Sequence, residues 1–229
     1  MKPKSANSTC IDHHFPFKEC LTFEQKDHLV SNCNILKYSK GENIFKQSAI
    51  VTDITFLVSG FIKLIKETRH HKKLIINLVK PGEFLNIMSA LSGEFHHYSA
   101  EAIEGTEVCH LNIANFKQLL QENSMFAYEM VKKQSQEEVF LLDRLMNQFQ
   151  KQLPGRIADV LLYFSEKIFH SDYFAFPLTR EELAELAGTT KESFIRTLSE
   201  FRNDKIIELN GKTVLIKSYE IIRTLSKLG

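Results

Sequence analysis

The sequence predicts an α+β chain: an N-terminal jelly-roll β-barrel, one long helix, and a C-terminal winged helix-turn-helix. Three observations predict it. From Leu36 to Leu111, short β-rich runs are punctuated by Gly41, Gly60, Pro81-Gly82, Gly93 and Gly105 at the close spacing of a sandwich or barrel. From Ser124 to Gln150 the chain reads as one helix, ended by Leu153-Pro154-Gly155. From Leu178 to Ile216, a capped helix, a glycine turn, a second capped helix and a hairpin follow in order.

In chain order, residues 1–20 form a flexible N-terminal segment whose first eight residues are polar. Residues 21–123 make the barrel domain. A short helical segment spans about Thr22 to Cys33, with Cys20 and Cys33 on its apolar side, and β runs follow at Asn43–Phe45, Ile54–Val58, Phe61–Glu67, Leu74–Val79, Tyr98–Ile103 and Thr106–Leu111. A jelly roll is the closure such short, evenly spaced strands favour. Residues 124–150 are the linking helix, carrying Met130, Phe140, Leu141, Leu142, Leu145, Met146 and Phe149 in an imperfect heptad pattern. That pattern suits pairing with a second copy, or packing on the helix's own barrel.

Residues 151–229 form the last domain. Thr179 is an N-cap with Glu182 placed to close a capping box, so a helix starts there with Leu183, Ala184, Leu186 and Ala187 on one side. Gly188 supplies the turn, and Thr189 or Thr190 caps a second helix running from Lys191 to about Arg202. Phe194, Leu198 and Phe201 point inward, leaving Lys191, Glu192, Ile195, Arg196 and Ser199 outward. Two apolar runs, Ile206–Leu209 and Thr213–Ile216, join through Asn210-Gly211 as a hairpin wing. Such an arrangement points to double-stranded DNA. An arginine such as Arg196 binds guanine O6 and N7 at two points, a glutamate such as Glu192 accepts from cytosine N4, and Ile195 can touch a thymine methyl. Arg180, Thr190, Lys191 and Lys212 are the candidates for the rest of the DNA contact, including phosphate. The plainer reading of Glu192 and Arg196 is an i,i+4 surface ion pair.

Lysine and arginine total 29 against 28 acidic residues, a net charge of +1, so the grip on phosphate must come from local placement and not from overall charge. The chain shows no apolar stretch suited to a signal peptide or a membrane span, which places it in the cytoplasm with no membrane partner. Its four cysteines, Cys10, Cys20, Cys33 and Cys109, are then thiols or metal ligands and not a disulfide framework. There is no Gly-x-Ser-x-Gly, no phosphate-cradling glycine loop and no cupin-like histidine set, so the chain does not read as an enzyme. A metal-binding or scaffold protein that does not bind DNA would leave the capped helices and the wing unexplained.

Thr179-Arg180-Glu181-Glu182-Leu183-Ala184-Glu185-Leu186-Ala187-Gly188, followed by Thr190 to Leu198 with Glu192 and Arg196, resembles the DNA-reading segment of the Crp/Fnr superfamily of bacterial transcription regulators. Gly155-Arg156-Ile157-Ala158 resembles the entry to that domain. Gly41-Glu42, Ser59-Gly60 and Pro81-Gly82-Glu83-Phe84 resemble landmarks of the superfamily's cyclic-nucleotide-type sensor barrel. The resemblance implies a homodimer paired through the long helix, two recognition helices in major grooves about 34 Å apart, a near-palindromic site, and RNA polymerase as a further partner. It also implies that a signal shifts the long helix between two states. In the oxygen-sensing branch the reading helix carries Glu-x-x-Ser-Arg; here Ile195 stands at the serine, which changes the chemistry at the outer base of the half-site.

Members that bind cyclic nucleotides clamp the phosphate with a Gly-Glu and an Arg-Ser, whereas this chain has Ile87-Met88 and Tyr98-Ser99 at those places. Cyclic AMP would bury its phosphate without a guanidinium, a costly arrangement. The oxygen-sensing branch holds an iron-sulfur cluster on three N-terminal cysteines and a fourth in the barrel. Cys109 matches the fourth, and Cys10, His13, His14 and Cys20 approximate the others with altered spacing. Haem is the second cofactor this resemblance allows, with His13, His14, His70, His71, His96 and His97 as available ligands. The cysteines also suit plain packing, or direct thiol oxidation.

Overall fold

A computed structural model describes residues 15–68 and 73–229. The chain divides into two compact units, with the boundary between Gln136 and Glu137.

The first unit begins with a 3-10 turn (Lys18–Cys20) and helix α1 (Phe23–Ser31). Strands β1 (Cys33–Tyr38), β2 (Asn43–Phe45), β3 (Asp53–Ser59), β4 (Ile62–Glu67) and β5 (Lys73–Val79) follow, then helix α2 (Ile87–Ser92), β6 (Ser99–Ala102) and β7 (Thr106–Asn112). Helix α3 (Ile113–Glu122) precedes the long helix α4 (Ser124–Gln150). Two antiparallel sheets result, ordered β1-β7-β3 and β2-β6-β4-β5.

The two-residue period of the strands divides the apolar side chains between two cores. Leu57 and Val108 of the first sheet meet Ile62, Leu64, Val79 and Ala100 of the second. Their neighbours Phe56, Cys109 and Leu111 turn to the other face and pack with Leu29 of α1, Phe116 of α3, and Phe126 and Met130 of α4. Each such buried large side chain contributes about 1.5–3 kcal/mol. The start of α4 is thereby packed into the first unit.

Cys33 is not on the short helix expected over Thr22 to Cys33; it opens β1. The helix stops at Ser31 because Asn32 folds its side-chain amide back onto the His28 carbonyl, 2.8 Å away, satisfying a terminal acceptor. In the β1–β7 ladder Cys33 faces Leu111 and Ile35 faces Cys109, so the two buried cysteines are diagonal neighbours. A hydrogen bond from Cys109 holds the Cys33 thiol below its ordinary pKa against the opposing effect of burial.

Tyr98 lies in the inter-sheet core, with its hydroxyl donating to the Leu85 carbonyl at 2.8 Å. Burial pushes its pKa up to about 12. The folded state favours the neutral phenol, so this stability is fully present below pH ~10 and is lost as pH rises through about 12, in total about 3 kcal/mol. Urea unfolding followed across that window should show a steep fall in stability that Tyr98→Phe makes shallower. An unchanged slope in the variant would remove Tyr98 as its source.

The second unit contains the end of α4, helix α5 (Leu153–Leu162), a π-helical continuation (Tyr163–Phe169), strand β8 (Tyr173–Ala175), helices α6 (Arg180–Leu186) and α7 (Lys191–Asn203), strands β9 (Ile207–Asn210) and β10 (Thr213–Ile216), and helix α8 (Tyr219–Leu228). The wing is a three-stranded sheet ordered β8-β10-β9. Its aromatic core sets Phe164 edge-on to Phe176 at 5.1 Å and Phe174 edge-on to Phe176 at 5.4 Å. Among the described residues, no helix is long and apolar enough to cross a membrane.

Candidate nucleic-acid interface

Helix α6 starts where the sequence requires. Thr179 Oγ1 accepts from the Glu182 amide at 3.3 Å, and Glu182 Oε2 accepts from the Thr179 amide at 2.8 Å, a complete capping box. Leu183, Ala184 and Leu186 are buried. Thr179→Ala should cost about 1 kcal/mol, lowering the urea midpoint without changing the slope of the transition.

Gly188, with φ of +63°, turns the chain, and Arg156 Nη1 of α5 donates to its carbonyl at 2.8 Å. Thr190, not Thr189, is the cap of α7, accepting from the Ser193 amide at 3.3 Å. Phe194, Thr197, Leu198 and Phe201 are buried against the unit's core, which leaves Lys191, Glu192, Ile195 and Arg196 exposed on one face. Ser199 is half-buried and its hydroxyl donates to the Ile195 carbonyl, so it is engaged by its own helix.

Arg196 lies 4.0 Å from Glu200 and not against Glu192. Both groups are exposed, and a contact of that length between solvated charges is worth little. The guanidinium can therefore exchange it for a base edge at small cost.

The wing turn differs by one residue from the expected Asn210-Gly211. Asn210 pairs with Thr213 in the ladder, so Gly211 and Lys212 form the two-residue turn. Gly211 has φ of +57° in the first central position, where a type II′ turn needs glycine. Lys212 stands exposed at the tip. Arg180 is half-buried, donates through Nη2 to the Gly211 carbonyl and sits 5.3 Å over the Phe176 ring. It ties the start of α6 to the wing tip, a role the sequence did not disclose. Its buried Nη1 has no hydrogen-bond partner.

Of the candidate cofactor ligands, Cys10, His13 and His14 lie outside the described residues, as do His70 and His71. Cys20 is half-buried and packs against the core that contains Cys33 and Cys109. Among the described residues, no group of three or more His, Cys, Asp or Glu is arranged to hold a metal ion. Taken alone, those residues do not assemble a ligand set for a cluster. His96 is 6% exposed and stacks on Phe45 at 3.9 Å, and burial lowers its pKa. His97 Nε2 meets Ser92 Oγ at 3.2 Å.

A β-roll, a long helix and a capped helix pair followed by a wing make up the architecture of a DNA-binding transcription regulator. The cyclic nucleotide-binding domain family matches residues 35–123, and the Crp-like helix-turn-helix domain family matches residues 155–225. The chain belongs to the Crp/Fnr superfamily of transcription regulators. It is 26% identical over 184 residues to the nitrogen fixation regulation protein FixK of Bradyrhizobium diazoefficiens, covering 78% of this chain and 76% of that one. It is 22% identical over 191 residues to the cAMP-activated global transcriptional regulator CRP of Salmonella typhimurium, covering 82% of this chain and 91% of that one. Its fold matches the solved structure of FixK2 from Bradyrhizobium japonicum with a TM-score of 0.77 at 20% identity, over 84% of this chain and 96% of that one.

Proposed function

We propose that the protein is a homodimeric regulator in the cytoplasm that reads a near-palindromic promoter site, and not an enzyme. The observation that carries this reading is the exposed set Lys191, Glu192, Ile195 and Arg196 on α7, a helix capped at one end and buried along its opposite face. Arg196 takes a guanine, Glu192 a cytosine amine, and Ile195 a thymine methyl. Thr190, Lys191 and Lys212 face phosphates, and Arg180 contributes by holding the wing tip through the Gly211 carbonyl. RNA polymerase is the further partner once the dimer sits at a promoter.

Residues 21–123 act as the sensor, 124–150 as the dimerisation helix and 151–229 as the reader, behind an N-terminal segment of residues 1–20. The dimer reading rests on α4. Tyr128, Val131, Ser135, Glu138, Leu142, Leu145 and Phe149 recur at alternating steps of three and four and are all exposed. That spacing is a coiled-coil seam, interrupted by two polar residues. In the sensor, buried Tyr98 occupies the place where a phosphate-clamping arginine would stand, which supports an effector other than cyclic AMP.

Footprinting of the full chain on promoter fragments should protect a two-fold symmetric site; sequence-independent protection would contradict the reading. Within that site, replacing thymine by uracil base by base removes only a methyl group. One position per half-site should lose about fourfold in affinity. Ile195→Ser should erase that loss, and a wild-type protein indifferent to every methyl would rule out the contact.

A further inference from the structure

Cys33 and Cys109 lie on neighbouring strands of one sheet and turn to the same face. Cys33 is opposite Leu111 and Ile35 is opposite Cys109, so the two-residue period of the strands puts all four side chains on one side of the β1–β7 ladder. Both cysteines are buried in the core that also holds Leu29, Phe116, Phe126 and Met130. Their side chains meet there, since Cys109 gives its hydrogen bond to the Cys33 sulfur.

The two positions differ in access. β1 is the outer strand of its sheet, and Cys33 is its first residue, between the exposed residues Asn32 and Asn34. Local opening at the end of an outer strand needs little more than the loss of a few terminal contacts, and here it brings Cys33 to solvent. Cys109 sits within β7, which is paired with β1 on one side and β3 on the other. A small oxidant therefore reaches Cys33 first. The hydrogen bond from Cys109 also lowers the pKa of Cys33, against the effect of burial, and the thiolate is the reactive form. Cys20 packs against the same core from the 3-10 turn, where no strand register aligns it with either residue.

We propose that Cys33 and Cys109 form a reversible intramolecular disulfide when the protein meets hydrogen peroxide. The Cys33 thiolate attacks one peroxide oxygen, the O–O bond breaks, and the departing hydroxide takes up a proton to leave as water, so that Cys33 becomes a sulfenic acid. The Cys109 sulfur then attacks the Cys33 sulfur. The S–S bond forms, the S–O bond breaks, and the hydroxide leaves with the Cys109 thiol proton as a second water. Two thiols and one peroxide give one disulfide and two waters. Diagonal neighbours in a ladder stand about 7 Å apart, at the upper limit of what a disulfide spans, so bridging draws the end of β1 toward β7. A bridge that needs such a shift is open to reduction. The chemistry stands apart from the DNA-reading proposal, because no residue assigned to DNA takes part.

The test is peptide mapping of the full-length protein, reduced, freed of reductant, exposed to hydrogen peroxide and then alkylated. Mass spectrometry without reduction should show the Cys33 and Cys109 peptides joined as the main cysteine product, and dithiothreitol should restore both thiols. Cys20→Ser should keep the link. Cys109→Ser should remove it and leave a Cys33 sulfenic acid that dimedone traps. The wild-type map by itself decides the pairing, whatever the folding of the variants. Recovery of both cysteines as unmodified thiols would mean that they serve packing alone and would overturn the proposal. A link of either residue to Cys10 or Cys20, links only between molecules, or irreversible oxidation without a link would each do the same.

Discussion

Leu142→Glu should convert the protein to a monomer and lower its affinity for a two-half-site duplex by about a hundredfold or more. Leu142 is 55% exposed on α4, between Tyr128, Val131 and Val139 on one side and Leu145, Met146 and Phe149 on the other. Apolar residues repeating along one solvent face of a 27-residue helix are the pattern of a surface that a partner covers. In a two-fold pair of parallel helices each seam residue lies close to its own counterpart. The substitution therefore sets two carboxylates against each other in place of two leucines, and Glu138 already places one such pair in the seam. Loss of pairing turns a bivalent contact into two independent weak ones. Sedimentation equilibrium gives the mass, and fluorescence anisotropy on full-site and half-site duplexes gives the affinity. The variant should keep its half-site affinity because α7 is untouched. A dimeric variant with full affinity would mean that another surface joins the subunits.

Arg196→Ala should cost about 1–3 kcal/mol on the specific site, roughly 5- to 150-fold, and relax the preference at one base pair. Its side chain is 71% exposed and touches only Glu200 at the limit of an ion pair, so thermal stability should not change. Lys212→Ala provides the contrast. Lys212 is proposed to contact phosphate and not a base edge, so its removal should weaken specific and random DNA alike and reduce the salt slope by about one. Equal loss on random DNA for Arg196→Ala would remove it from base reading.

The parts of the fold that were legible in the sequence are those whose determinants are local. The capping box at Thr179 and Glu182, the burial period of α7 and the extent of α4 are each written in residues a few positions apart. Elements without a local marker were not legible. Asn112 closes β7 and at the same time caps α3, accepting from the Ala114 and Asn115 amides, so no polar linker separates strand from helix. Helix α8 follows Ser218, which makes no side-chain capping bond, and β8 has only three residues, too few to show a period. The wing turn was misplaced by one residue because Asn-Gly is a strong type I′ signal, whereas here the pairing of Asn210 with Thr213 makes glycine the first turn residue.

The interface was legible in part. The exposed face of α7 follows from helical period alone, but the hold of Arg180 on the Gly211 carbonyl joins residues 31 positions apart. The meeting of Cys33 and Cys109 likewise depends on the register of β1 against β7, which neither sequence segment states.

The most direct test of a dimeric, sequence-specific reader is selection of bound duplexes from a random library by the purified full-length chain. The account predicts an enriched motif with two inverted half-sites centred about one helical turn apart, each containing a guanine whose enrichment disappears in Arg196→Ala. Recovery of a single unpaired element, or of no motif, would contradict it.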